Sequence, residues 1–165
     1  MTLRDEFTAP NYVIGVHERP DALDAAEWNA LLEHQPSPTP FMRHEYLLAL
    51  HASGSATPAT GWGARFITLR DGAGILHAAC AVYLKSHSYG EYVFDWAWAD
   101  AYRRHGLAYY PKLLAALPFT PVPGRRILGR DEANRRLLLA RVLEMVQGSG
   151  ASSFHLLFPT TEEAG

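Results

Sequence analysis

The stretch Lys85-Ser86-His87-Ser88-Tyr89-Gly90-Glu91-Tyr92-Val93-Phe94-Asp95-Trp96-Ala97-Trp98-Ala99-Asp100-Ala101-Tyr102-Arg103-Arg104-His105-Gly106 crowds ring and ionisable side chains into 22 positions. A carboxylate among rings loses water, so its pKa rises and it becomes suited to act as a general base. Glu91 and Asp95 are therefore the candidate catalytic carboxylates. Each has an ordinary alternative: Asp95 as a helix N-cap and Glu91 as an exposed strand residue. Rings with polar tips line sites that hold amphipathic ligands, which makes Lys85, His87, Tyr89, Trp96, Trp98, Tyr109, Tyr110 and Lys112 the candidate substrate contacts. Such rings are commoner in cores and interfaces, and such lysines are commoner in solvent. Gly124, Arg125 and Arg126 precede an expected element where guanidinium groups could clamp the phosphate or carboxylate of a cofactor, although surface arginines are common there too.

Other chemistries find no motif. Gly61-Trp62-Gly63 and Gly72-Ala73-Gly74 lack the third glycine and the strand-to-helix setting that would aim amides at a pyrophosphate. No G-x-S-x-G elbow occurs. The eight histidines are scattered, none in H-x-H or H-x-x-x-H spacing, and with one cysteine a soft-metal site is not expected, so no metal is assigned. Cys80 lies in the apolar run Leu76, Ala78, Cys80, Val82, Leu84 and reads as a small core residue, with no base nearby in sequence to make its thiolate.

These residues need a scaffold, and the pattern predicts one of mixed α/β (α+β) class. A short strand over Tyr12–His17 leads through Pro20 and Asp21 into a helix over Ala22–His34, ended by Pro36, Pro38 and Pro40. A second helix follows over Met42–His51, then a glycine-rich loop over 52–63. Arg65–Arg70 and Ile75–Leu84 read as an antiparallel hairpin about Asp71-Gly72-Ala73-Gly74, the second strand being central and covered on both faces. Glu91–Phe94 reads as a strand, Trp96–His105 as a helix capped by Asp95, and Tyr110–Leu117 as a helix with Pro111 in its first turn. Arg125–Leu128 reads as a strand, Glu132–Gln147 as the clearest helix, capped by Asp131, and Ser153–Phe158 as a strand. Thr160-Thr161-Glu162-Glu163 looks like the first turn of a further helix, which suggests a chain cut from a longer one.

At 165 residues, with 48% hydrophobic and 19% charged residues, the chain suits one packed domain. The formal charge of -2 gives no general attraction to nucleic acid or anionic membrane. No apolar run is long enough to span a bilayer, and MTLRDEFTAPNY has no apolar core of the signal-peptide kind. The single cysteine agrees with a reducing compartment, so a cytoplasmic setting is expected.

The run KSHSYGEYVFDWAWADAYRRHGLAYYPKLLAALPFTPVPGRRIL, from Lys85 to Leu128, resembles a bacterial FemAB-like family of N-acyltransferases labelled peptidoglycan biosynthesis or recognition proteins. Weaker similarity extends to PTPFMRHEYLLALHASGSATPATGW and SSFHLLFP. The resemblance implies a GNAT-like fold, with a mixed, largely antiparallel central sheet flanked by helices, in proteins of about two such lobes, this chain being the first. It also implies acyl or aminoacyl transfer to an amine, such as that of a cell-wall precursor, with acyl-CoA or aminoacyl-tRNA as donor. Where GNAT enzymes carry Q/R-x-x-G-x-G/A, this sequence reads VPGRRILGRD, with only Gly124 and Gly129, so the missing C-terminal lobe is a candidate holder of the donor. Two readings follow: a transferase in which Glu91 or Asp95 accepts the amine proton, or a non-catalytic lobe that binds substrate or partner through the rings. RNA contact through Arg103, Arg104, Tyr109, Tyr110 and Lys112 is disfavoured by the acidic charge, tRNA as donor apart, and a homodimer stays open.

Overall fold

A computed structural model describes residues 11–164; the leader reading of the first ten residues lies outside them. Strand β1 (Val13–His17) is followed by a 3-10 turn over Pro20–Ala22 and helix α1 (Ala25–Glu33). The helix starts later than expected because Asp24, not Asp21, accepts the first-turn amide of Glu27 at 2.8 Å, while Asp21 pairs with Arg19. A second 3-10 turn over Pro40–Met42 shortens the next helix, α2, to His44–Ala52. The long hairpin is β2 (Trp62–Arg70) and β3 (Leu76–Lys85), and the first strand begins three residues before the expected Arg65.

Beyond the hairpin the chain forms α3 (Trp96–Arg104), β4 (Lys112–Ala115), β5 (Ile127–Gly129), α4 (Glu132–Ser149), β6 (Phe154–Leu156) and the single turn α5 (Thr161–Ala164). Two expectations are overturned here. Glu91–Phe94 is irregular: Glu91 turns inward while Tyr92, Val93 and Phe94 all face solvent, so no alternation exists for a partner strand to read. Lys112–Ala115 is a strand instead of the middle of a helix, because all four residues are buried between β3 and β6, and ladder bonds on both edges outweigh the helical preference of Leu and Ala.

The sheet order is β1-β2-β3-β4-β6, antiparallel except for the parallel β4–β6 pair, with β5 also on β3. This is the mixed, largely antiparallel sheet flanked by helices that the sequence suggested. β4 and β5 occupy one lane beside β3: Val82 pairs with Ala115 and Cys80 with Ile127, so only Ala81 separates the two ladders while residues 116–126 swing out between them. One sheet face, with Trp28, Leu31, Leu47, Phe66, Tyr83 and Leu114, is covered by α1 and α2. The other, with Ile67, Cys80, Val82 and Leu113, packs on Leu138 and Val142 of α4. β3 is thus the expected central strand, and Cys80 is a core residue whose thiol burial pushes up to about 12.

Candidate functional site

Lys85 ends β3 and Lys112 begins β4, and the two lie directly opposite each other in the register, on the face shared with Tyr83 and Leu114. Like charges in that position repel unless anions intervene. Glu91 and Asp95 intervene, and the irregular course of 86–95 exists to deliver them. Lys112 Nζ donates to Glu91 Oε2 at 2.8 Å, to Asp95 Oδ2 at 2.5 Å and to Ser88 Oγ at 3.0 Å. Lys85 Nζ donates to the Tyr89 carbonyl at 3.2 Å, stands 3.9 Å from Glu91 Oε1 and sits 3.4 Å above the Trp62 ring, its cross-strand neighbour. All four ionic side chains are buried, and two positive charges meet two negative ones.

Two tyrosines join this cluster to the surface. Tyr109 donates its hydroxyl to Asp95 Oδ2 at 2.7 Å, and the Tyr110 hydroxyl is 2.7 Å from Ser88 Oγ. The Asp95 side chain is therefore not a helix cap: α3 begins after it on backbone bonds alone, because its carboxylate is already engaged by Lys112 and Tyr109. One oxygen of each acid, Glu91 Oε1 and Asp95 Oδ1, is buried without a hydrogen bond.

The cluster splits the two acids. Burial raises the Glu91 carboxyl above its ordinary value, and the hydrogen bond from Lys112 only partly offsets this. Burial also works against the charge of Asp95, but bonds from Lys112, Ser88 and Tyr109 outweigh it and hold that carboxyl below its ordinary value. Burial lowers Lys85 to about 8, with Glu91 opposing and Lys112 adding to the fall. Burial, then the neighbouring Asp95, raises the Tyr109 phenol. His87 is lowered by burial and then by Lys85.

Over the charges lie rings. A groove of about 560 Å³ is lined by Trp96, Asp100, Arg103, Leu107, Tyr109 and Tyr110, and a second of about 260 Å³ by Ser88, Tyr89, Tyr92, Phe94 and Trp96. Trp96 belongs to both. Tyr89 packs edge-on to Trp96 at 5.3 Å and to His87 at 5.1 Å, and Tyr109 to Tyr110 at 5.0 Å. Trp98, 66% exposed, lines neither groove.

Of the residues singled out in sequence, Lys85, Glu91, Asp95, Tyr109, Tyr110 and Lys112 come together, with His87, Tyr89 and Trp96 beside them. Gly124, Arg125 and Arg126 stand apart, at the start of β5, five residues and roughly 17 Å along β3 from the lysines. Arg126 is buried and donates to the carbonyls of Leu157 and Val122, while Arg125 pairs with Glu162. Gly124 leaves room for Arg126, since a Cβ there would stand 3.1 Å from its Nη1. Ser88 and Trp62 were missed. Counting pairs outward from the Asp71–Gly74 turn would have set Trp62 against Tyr83; the irregularity at Leu69 and Arg70 shifts the register and brings Trp62 opposite Lys85, and nothing distinguishes Ser88 in a polar stretch.

Among the described residues no three His, Cys, Asp or Glu side chains converge on a common point, and no helix is long and apolar enough to cross a membrane. The chain matches no curated protein and no solved structure at a significant level. A family model described as FemAB-like, peptidoglycan biosynthesis/recognition, matches residues 20–165, a span that takes in both lysine strands, the ring-bearing loop between them and helix α4. On that match, the chain belongs to the FemAB-like family.

Proposed function

We propose that this chain recognises the acceptor in N-acyl or aminoacyl transfer to the amine of a cell-wall precursor, a sugar-peptide held in the groove between Trp96 and Tyr110. The carrying observation is the division of labour in the loop between β3 and β4: its acids point inward to two lysines, and its rings point outward around open grooves. Exposed aromatic rings bury large area at low entropic cost and stack on the apolar faces of sugars, with phenol hydroxyls left to orient polar groups. In this reading Glu91 and Asp95 are positioning residues, because neither lines a groove and both are held by Lys112.

A second reading, with a carboxylate as general base, draws on the free oxygens Glu91 Oε1 and Asp95 Oδ1 and on the opposed shifts of the two acids, a pattern typical of acid–base pairs. It requires the loop to open so that the amine reaches the acid. Tyr110 lines the groove and its hydroxyl is linked through Ser88 to Lys112, which gives the groove a polar connection to the buried cluster. Acyl-CoA or aminoacyl-tRNA is the donor class in either reading.

The test is a titration of soluble muropeptides into the chain and its Trp96→Ala and Glu91→Gln variants, followed by calorimetry. Loss of a central ring is expected to weaken binding by about 2 kcal/mol, roughly thirtyfold. Unchanged affinity in Trp96→Ala refutes the groove assignment. Full binding by Glu91→Gln together with lost transfer in a donor-supplemented assay favours the general-base reading.

A further inference from the structure

His87 is among the residues that the sequence offers as ligand contacts, yet it lines neither groove. It stands behind one of them, half-buried between two stretches of backbone. On one side Tyr89 N donates to His87 Nδ1 at 3.2 Å, a bond from the second residue on back to the side chain, which is the imidazole counterpart of an Asx turn. On the other side is Gly61, left-handed at φ of +79°, where a Cβ would stand 2.2 Å from His87 Nε2 and 2.6 and 2.8 Å from two ring carbons. Only glycine lets the ring lie against this turn. The turn is itself tied down, since Thr57 N donates to Thr60 Oγ1 at 3.0 Å and Trp62 N to the Thr57 carbonyl at 2.8 Å.

From this wall the rings run outward. His87 packs edge-on to Tyr89, and Tyr89 to Trp96, the residue common to both grooves. The Tyr89 peptide is held on both sides, its N–H by His87 and its carbonyl by Lys85 Nζ at 3.2 Å. Tyr89 is 64% exposed, so the His87 bond and the two ring contacts are what set its direction. The first bond also fixes the proton. An imidazole nitrogen that accepts from an amide carries no hydrogen, so the ring is neutral with its hydrogen on Nε2, toward the turn. A second proton would go on Nδ1, where it would point at the Tyr89 N–H and abolish the acceptor. Burial first, then the Lys85 ammonium at the end of β3, oppose a charge on the ring, while the backbone of Thr60 and of His87 itself favours one.

We propose that His87 is a positioning residue of the ring grooves: wedged as a neutral imidazole between Gly61 and the Tyr89 amide, it sets Tyr89 and through it Trp96, so that ligand binding weakens when the ring takes up a proton. This rests on the acceptor reading given above. The neutral ring predominates above the ordinary histidine value of about 6.5, so affinity is full at pH 7.5 and falls as pH drops toward 4.5.

Soluble muropeptides are titrated calorimetrically, at both pH values, into wild type, His87→Ala, His87→Asn, Gly61→Ala and Trp96→Ala. Asparagine can offer its Oδ1 to the Tyr89 N–H and takes up no proton. At pH 7.5 His87→Ala is expected to bind about fivefold more weakly, the worth of one hydrogen bond, and His87→Asn to recover most of that loss. Between the two pH values wild type is expected to lose several-fold more affinity than His87→Asn, a difference that removes the titration of the ligand and of Glu91. Gly61→Ala, outside both grooves, is expected to weaken binding as His87→Ala does, and the pair together no more than either alone. Exchange of the Tyr89 amide, followed by NMR, is expected to quicken in His87→Ala and slow again in His87→Asn. Wild-type affinity in His87→Ala while Trp96→Ala binds weakly, or one pH profile for wild type and His87→Asn, overturns the positioning role and leaves the groove reading standing. Wild-type affinity in Trp96→Ala is the failure of that reading and takes the ligand half of the proposal with it. Tyr89 exchange unchanged in His87→Ala overturns the wedge itself.

Discussion

Replacing Lys112 by methionine keeps the length of the side chain and removes the cation that three buried groups share. Glu91 and Asp95 would then face one ammonium, Lys85, which stands 3.9 Å from Glu91 and forms no ion pair with Asp95. Removing one partner from a buried ion pair costs about 3–5 kcal/mol. That is a large part of a typical stability of about 5–15 kcal/mol. With a urea slope of about 2 kcal/mol/M, the unfolding midpoint should fall by roughly 2 M, and the melting temperature by about 8–16 °C for a chain of this size. The cost should also depend on pH with a definite sign. Without Lys112, Glu91 rises further above its ordinary value; the folded state then binds more protons than the unfolded one in that window, so stability falls as pH rises through it. The penalty at pH 7 must therefore exceed that at pH 5. Adding Asp95→Asn restores the balance of one cation and one anion and should recover half or more of the loss. Urea titrations of the three proteins at both pH values decide it. A loss under about 1 kcal/mol, or one indifferent to both pH and Asp95→Asn, would show that the cluster is not the anchor of the loop.

Lys85 titrates near 8 in the folded chain and near its ordinary value, about 10.4, when unfolded. Between these values the unfolded chain holds more protons, so stability should rise with pH across that window, and Lys85→Met should flatten the rise in urea titrations. Gly90 has φ of +81°, and a Cβ there would meet Phe119 at 2.6 Å, so Gly90→Ala should cost about 2–5 kcal/mol in thermal or urea unfolding, from left-handed strain and overpacking together. The Cys80 thiol, fully buried and raised to about 12, should resist iodoacetamide until the chain unfolds, which mass spectrometry of native and urea-treated samples would read directly.

The hairpin, the central strand and α4 were legible because their signals are local: turn residues between two apolar runs, and Asp131 before a periodic stretch, where it accepts Asn134 N at 2.8 Å. β4 was not, since Pro111 followed by Lys, Leu, Leu, Ala, Ala suits a helix start equally well, and only the lane beside β3 decides otherwise. The chemistry-bearing residues could be listed from composition, but their pairing could not. That Lys112 answers Glu91, 21 positions away, depends on β4 being a strand in register with Lys85, so the error in the element hid the cluster. Arg125 and Arg126 were noticed for their charge, while their partners on α5 lie 37 positions on, beyond any local pattern.

The interruption of the lane beside β3 separates two jobs in one strand position. Because residues 116–126 leave the sheet after Ala115 and return at Ile127, the end that carries the rings and the end that meets α4 are joined by a detour instead of a continuous ladder. Leu113 of β4 still packs on Leu138 and Val142 of α4, so the two ends communicate through side-chain packing across the sheet face and not through the ladder. The detour is itself tied down, by Phe119 N donating to the Gly90 carbonyl and by the hydrogen bond between the Tyr46 and Thr120 hydroxyls, so an insertion next to Phe119 should disturb the ring-bearing loop before it disturbs either ladder.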